Sequence, residues 1–152
     1  MIQNIFDKQV SDALISRINN LQPNSEPLWG KMSVDQMLAH CNVSYLFTYH
    51  SGSFIKPSPF KKFMLKTFVK KMVVSEKPYQ KNGRTAPEFI IAGTKDFERE
   101  KNNLIDNINK TQQLGANHFD GKDNFSFGKM SSQEWNNMFY KHLDHHLSQF
   151  NV

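Results

Sequence analysis

Cysteine is nearly absent from this chain. Cys41 stands alone among 152 residues, which excludes an internal disulfide framework and suits a reducing compartment. No run approaches the roughly 18–20 apolar residues needed to cross a bilayer. The mean hydropathy of −0.61 argues against a membrane-embedded fold. Met1 to Asp7 offers neither a basic start nor an apolar core, so no secretory leader is expected, and the expected location is cytoplasmic. Segments that alternate with period two are almost missing, so strands should be absent or minor. Acidic residues are scarce in one place. Residues 51–90 hold eight lysines and Arg84 against only Glu76 and Glu88, a net charge of +7 where the whole chain carries +5. A basic stretch of this kind is usually a solvated face, but it also suits nucleic acid, an anionic lipid surface or a negatively charged small molecule.

The length fits one domain over 1–152, and the 38% apolar and 12% aromatic content, thirteen Phe included, suits a packed core. Apolar side chains recur every three or four residues at Phe6, Val10, Leu14, Ile18 and Leu21, which predicts a first helix over 5–21. Pro23 to Pro27 ends it. Ser33 followed by Gln36 is a capping box opening a second helix that runs to about Tyr49. That helix is apolar around much of its circumference and should be central. Residues 59–74 predict a third helix with Phe60, Phe63, Met64, Phe68 and Met72 as its core contacts, although Lys61 and Lys71 intrude on that stripe. Pro78, Gly83, Pro87 and Gly93 then punctuate a long crossover. A fourth helix is expected over 96–114, stopped by Gly115, and a fifth over 132–149. Gly30-Lys31-Met32-Ser33 recurs as Gly128-Lys129-Met130-Ser131, and Ser131 with Glu134 makes a second capping box. The expected architecture is all-α: four main helices and an additional one in the crossover.

The last helix carries Lys141-His142-Leu143-Asp144-His145-His146, three histidines in five residues. Counting from Ser131, His142 falls at about 20° and His146 at about 60°, between Trp135 at about 40° and Phe139 at about 80°. Both imidazoles therefore stand on the apolar face, where each must find partners for two nitrogens. A metal ion satisfies two at once. A third ligand should come from a facing helix, and His40, two turns past the Ser33 cap, is the candidate. His50 lies at a helix end and His118 in a loop, neither on a scaffold that would fix it. On the same count His145 falls at the edge of the face at about 320° and Asp144 points outward at about 220°. Gln149 points inward at about 0°, where it could bond a ligand's free N–H or cap the pocket. Cys41 reads as a small core residue.

Trp29-Gly30-Lys31-Met32-Ser33, Gln36-Met37-Leu38-Ala39-His40-Cys41 and the closing His142-Leu143-Asp144-His145-His146-Leu147-Ser148-Gln149 together resemble the DinB-like (DinB/YfiT-like) metalloenzyme superfamily, in a branch of unknown function. The resemblance covers most of the chain. It implies a four-helix bundle holding a divalent metal through one His of the second helix and a His-x-x-x-His pair of a late helix, which here are His40, His142 and His146. Leu147-Ser148 stand where many members carry Arg-Gly. Relatives with assigned activities include enzymes that use a low-molecular-weight thiol, so the resemblance implies metal-activated thiol transfer or metal-dependent hydrolysis. The alternative is a non-catalytic bundle that binds a metal or ligand.

Three neutral histidines suit Zn, Ni, Fe or Mn, and ligand type does not choose among them. Three protein ligands leave a position for water or a thiol cosubstrate. No general base stands out, because Asp35 and Glu134 sit in first turns, where they serve the helix dipole. The expected partner is a small molecule, anionic if the basic segment rims the pocket. Neither nucleic acid nor a membrane span is expected, and a homodimer is left open.

Overall fold

The computed structural model describes residues 1–152. It is mostly helical, at 60% helix in five helices with one small two-stranded sheet. The helices are α1 (Lys8–Asn19), α2 (Val34–Tyr49), α3 (59–74), α4 (Phe97–Phe119) and α5 (Ser132–Gln149). Helix α3 is continuous but changes pitch, with a π segment at Leu65–Val69 between α segments Pro59–Met64 and Lys70–Val74. Between α4 and α5 the chain makes a tight antiparallel hairpin of β1 (Asp123–Asn124) and β2 (Gly128–Lys129), pairing Asp123 with Lys129. No helix is long and apolar enough to cross a membrane.

Helices α4 and α5 each pack against both α1 and α2, and the core lies between the four. Leu14 and Ile18 of α1, Met37, Leu38 and Tyr45 of α2, and Leu104 and Ile108 of α4 meet Trp135, Phe139 and Leu143 of α5 there. Tyr45 stacks on Phe139 at 4.9 Å, nearly parallel, and Phe139 stacks in turn on Trp135 at 5.6 Å. Polar bonds fix the helices relative to one another. Asn42 of α2 donates to the Glu100 carbonyl of α4 and accepts from Asn107. Both expected helix starts are present. Gln36 returns a bond to the Ser33 N–H, and Ser131 and Glu134 exchange theirs at 3.3 and 3.0 Å.

Gly115 does not end α4 outright. It takes φ +72°, a conformation open essentially to glycine, and the chain then makes one more turn that brings Phe119 fully into the core.

The third helix has the expected extent and a different orientation. Phe60, Phe63, Phe68 and Met72 are 74, 61, 65 and 55% exposed, and Met64 is exposed too. The face that docks is Leu65, Val69 and Val73, packed on the edge of the core. Polar anchoring decides between the two stripes. Lys70 reaches inward to Glu134 at 2.8 Å. The last carbonyls of α3 are taken by side chains of α5: Val74 by Asn137, and Met72 by Lys141. Turning the Phe stripe inward would break these bonds and bury Lys61 and Lys71.

Candidate metal centre

His40 of α2 meets His142 and His146 of α5 where the two helices face each other. One nitrogen from each ring lies within 4.8 Å of the others, an arrangement that could hold a metal ion. His40 is 4% exposed and His146 is also buried. His142 is densely surrounded but keeps part of its surface open to solvent. The ring centroids of the three lie 4.6 to 4.9 Å apart.

Each ring is held from behind by an oxygen. His40 Nδ1 lies 2.8 Å from the Phe89 carbonyl, which can only accept, so Nδ1 carries the proton and Nε2 presents a bare lone pair. His146 Nδ1 lies 2.8 Å from Gln149 Oε1, while the Gln149 amide nitrogen donates to the Trp29 carbonyl at 2.6 Å. That pairing fixes the amide's orientation and protonates His146 at Nδ1, so its Nε2 is bare as well. His142 Nδ1 faces the Ser44 hydroxyl at 3.1 Å, a partner that can donate or accept.

The front of the site is therefore underprotonated. His40 Nε2 and His142 Nε2 stand 2.9 Å apart. Two lone pairs at that distance repel, so either a proton or a cation must lie between them. Ligands on a 2.0–2.1 Å zinc sphere are separated by roughly 3–3.5 Å, so the observed approach fits a shared ion with little adjustment. The backing oxygens match the usual outer partners of metal-bound histidine.

Electrostatics keep the rings neutral. Burial lowers the pKa of His40, offset in part by its bond to Phe89. Burial and the neighbouring histidines hold His142 well below the ordinary value. His146 is pushed down to about 3 by burial and by His40, against the opposing bond from Gln149. Neutral imidazole is the form that ligates.

Gly30 explains the Trp29–Ser33 motif. Its φ is +85°, and a Cβ there would stand 2.6 Å from the Gln149 side-chain nitrogen. The Leu28 N–H also donates to the Gln149 backbone carbonyl at 2.7 Å. The segment 28–30 therefore grips Gln149 at both ends, and Gln149 holds His146.

The remaining sequence candidates lie elsewhere. His50 is exposed at the end of α2. His118 is exposed in the last turn of α4, against Lys122 at 2.7 Å. Cys41 is buried, with its thiol pKa raised by burial, and contacts Met37 rather than the histidines. Asp144 pairs with Arg17 at 2.7 Å. His145 sits half-buried between Trp29 and Tyr79, its ring 5.0 Å from that of His146. Beside it opens a cleft of about 220 Å³ whose walls include Trp29, Tyr79, Lys81, Lys141 and His145. Phe89, which does not line that cleft, packs edge-on to His40 and His142. The sequence points to Gln149 and places Ser44 beside His40 without a role, and gives no sign of Phe89. Ser44 is one turn from His40 on the same face and was legible in principle; the Phe89 contact is a backbone atom and carries no residue signal.

Against known proteins, a family model matches residues 6–152, that of DUF1569, described as a protein family of unknown function. A search of curated proteins and a search of solved structures each found no match. The chain belongs to the DUF1569 family.

Proposed function

We propose that this DUF1569 protein is a divalent-metal-dependent enzyme, a transferase or hydrolase, whose ion is held by the Nε2 atoms of His40, His142 and His146. The observation that carries the reading is the 2.9 Å approach of two nitrogens, one of them already deprived of its proton by a backbone carbonyl. The surrounding helices are read as a single DinB-like four-helix bundle domain, in keeping with the way α4 and α5 both pack on α1 and α2. Zn, Ni, Fe and Mn all accept three imidazoles. When bound, the ion would supply Lewis acidity and lower the pKa of a coordinated water or thiol.

The protein's own residues prepare the site. Phe89 and Gln149 hold two rings in the tautomer that offers Nε2 forward, and Ser44 accepts from His142 Nδ1 when the third does the same. Phe89 and Phe47, 5.6 Å apart, shield one flank from water. The cleft beside His145 takes the small molecule. Lys81, 4.2 Å over the Trp29 ring, is the cation that cleft offers to an anionic substrate or thiol cosubstrate, beside the carboxylates of Glu76 and Asp144, while Lys141 is held by the Met72 and Ser75 carbonyls.

Elemental analysis of the purified protein tests the assignment. About one divalent ion per chain is expected, lost on His142→Ala or His146→Ala and retained on His145→Ala. Unchanged metal content in the first two variants would sink it. Assays of the metal-loaded protein with thiols plus electrophiles, and with hydrolysable esters and amides, then separate transferase from hydrolase. Inactivity in every assay with metal retained would favour a non-catalytic metal-binding protein.

A further inference from the structure

Helix α3 carries two apolar stripes, and only one is used by the fold. Leu65, Val69 and Val73 pack inward. Phe60, Phe63, Met64, Phe68 and Met72 recur at intervals of three and four on the outer side, all exposed. Single exposed apolar residues are ordinary, but three phenylalanines and two methionines aligned on one helix are a patch that asks for an occupant.

Charge says which occupant. Residues 51–75 contain six lysines and no aspartate or glutamate. Lys61 is paired with Glu88 and Lys70 with Glu134. Lys56, Lys62, Lys66 and Lys71 make no ion pair and are exposed. By helical spacing Lys71 lies within the apolar stripe, and Lys62 and Lys66 alternate with it in sequence and project from the helix away from its centre. A second copy docked by this face would bring those lysines against their own counterparts with no carboxylate on the helix to pair them. Single-stranded nucleic acid would stack on Phe60, Phe63 and Phe68 but would leave the exposed thioethers of Met64 and Met72 without a use. A lipid surface takes both components, with rings and thioethers among the acyl chains and lysines at the phosphates.

We propose that the outer face of α3 docks the protein on anionic lipid membranes, Phe60, Phe63 and Phe68 entering the interface and Lys62, Lys66 and Lys71 meeting the headgroup phosphates. The helix lies along the surface and does not cross it. Its C-terminal end is clamped to α5 by Asn137 and Lys141, so the docked helix carries the whole protein with it. The inference is independent of the metal site.

The test is co-sedimentation of the full chain with phosphatidylcholine vesicles that contain or lack phosphatidylglycerol, across salt concentrations. Binding is expected only to the anionic vesicles and should weaken with salt. Each Phe→Ser substitution at 60, 63 or 68 should weaken it about tenfold or more. Each Lys→Gln at 62, 66 or 71 should weaken it about fivefold. These side chains face solvent, so the variants should keep the wild-type circular dichroism. Phe63→Ser provides the reading should another of these variants fold poorly. The proposal is overturned by no binding to anionic vesicles, by wild-type binding of Phe63→Ser, or by binding to a single-stranded oligonucleotide but to no vesicle. A concentration-dependent dimer that Phe63→Ser dissociates, without vesicle binding, assigns the face to a second copy and overturns it equally.

Discussion

Residues 51–95 and the rest of the chain follow opposite rules. All 35 buried residues lie outside that segment, which contributes none. Outside it, the buried asparagines are paired, Asn42 with Glu100 and Asn107 and Asn136 with the Ile5 N–H and the Gln3 carbonyl, while the Tyr45 hydroxyl and the Trp135 Nε1 are buried without a partner. Inside it, large apolar side chains stand in water. Yet the segment supplies the Phe89 carbonyl that sets the His40 tautomer, and Tyr79 and Lys81 of the cleft wall. One part of the molecule holds the buried core and presents the three histidines. The other buries no residue and supplies groups that surround them.

That division is open to measurement. The largest contrast is in stability. Phe139→Ala, which removes a ring stacked on both Tyr45 and Trp135, should cost about 3–5 kcal/mol in urea unfolding. Phe63→Ala, on the outer face of α3, should change stability by no more than about 0.5 kcal/mol. Equal losses would erase the distinction.

The next effect is on the metal. Gln149→Ala frees the His146 ring and Gly30→Ala pushes the same amide aside, so each should weaken metal affinity about 10–100-fold without removing a ligand. Competition with a chromophoric chelator measures it, and wild-type affinity in both would show that the grip on Gln149 serves folding alone.

A smaller effect appears with pH. Above about pH 6.5 the histidines are neutral in the folded and the unfolded chain alike, and their folded-state advantage is fully present. As pH falls, the unfolded chain takes up protons that the buried rings refuse, so the stability of metal-free protein declines towards the folded value, about 3 for His146. By pH 5 that residue alone should account for about 2 kcal/mol. A His146→Gln variant should show a correspondingly shallower decline between pH 6.5 and 5. Parallel curves would contradict the burial argument.

The contrast also explains what could be read from the sequence. Helix starts at Ser33 and Ser131 were legible because capping is a bond between residues three apart. The face holding His142 and His146 was legible because α5 has one apolar side, and His40 followed from the need for a third ligand. The orientation of α3 was not legible. Its two stripes have the same helical period, and the choice between them is made by Asn137 and Lys141, more than sixty residues away in sequence. Gly115 reads as a stop because glycine favours the conformation that ends a helix, whereas the turn after it depends on Phe119, which is fully buried in the core.

Ser44 turns the site into its own reporter. Without metal, the short contact between His40 and His142 is relieved when His142 carries its proton on Nε2 and the Ser44 hydroxyl donates to Nδ1. Binding an ion would shift that proton to the other nitrogen and rotate the hydroxyl to accept it. No proton need enter or leave the histidines, so below the pKa of any coordinated water the heat of metal binding should be the same in buffers of different ionisation enthalpy. In nitrogen-15 NMR spectra the His142 resonances should exchange their protonated and bare signatures, while those of His40 and His146 keep the tautomer they began with.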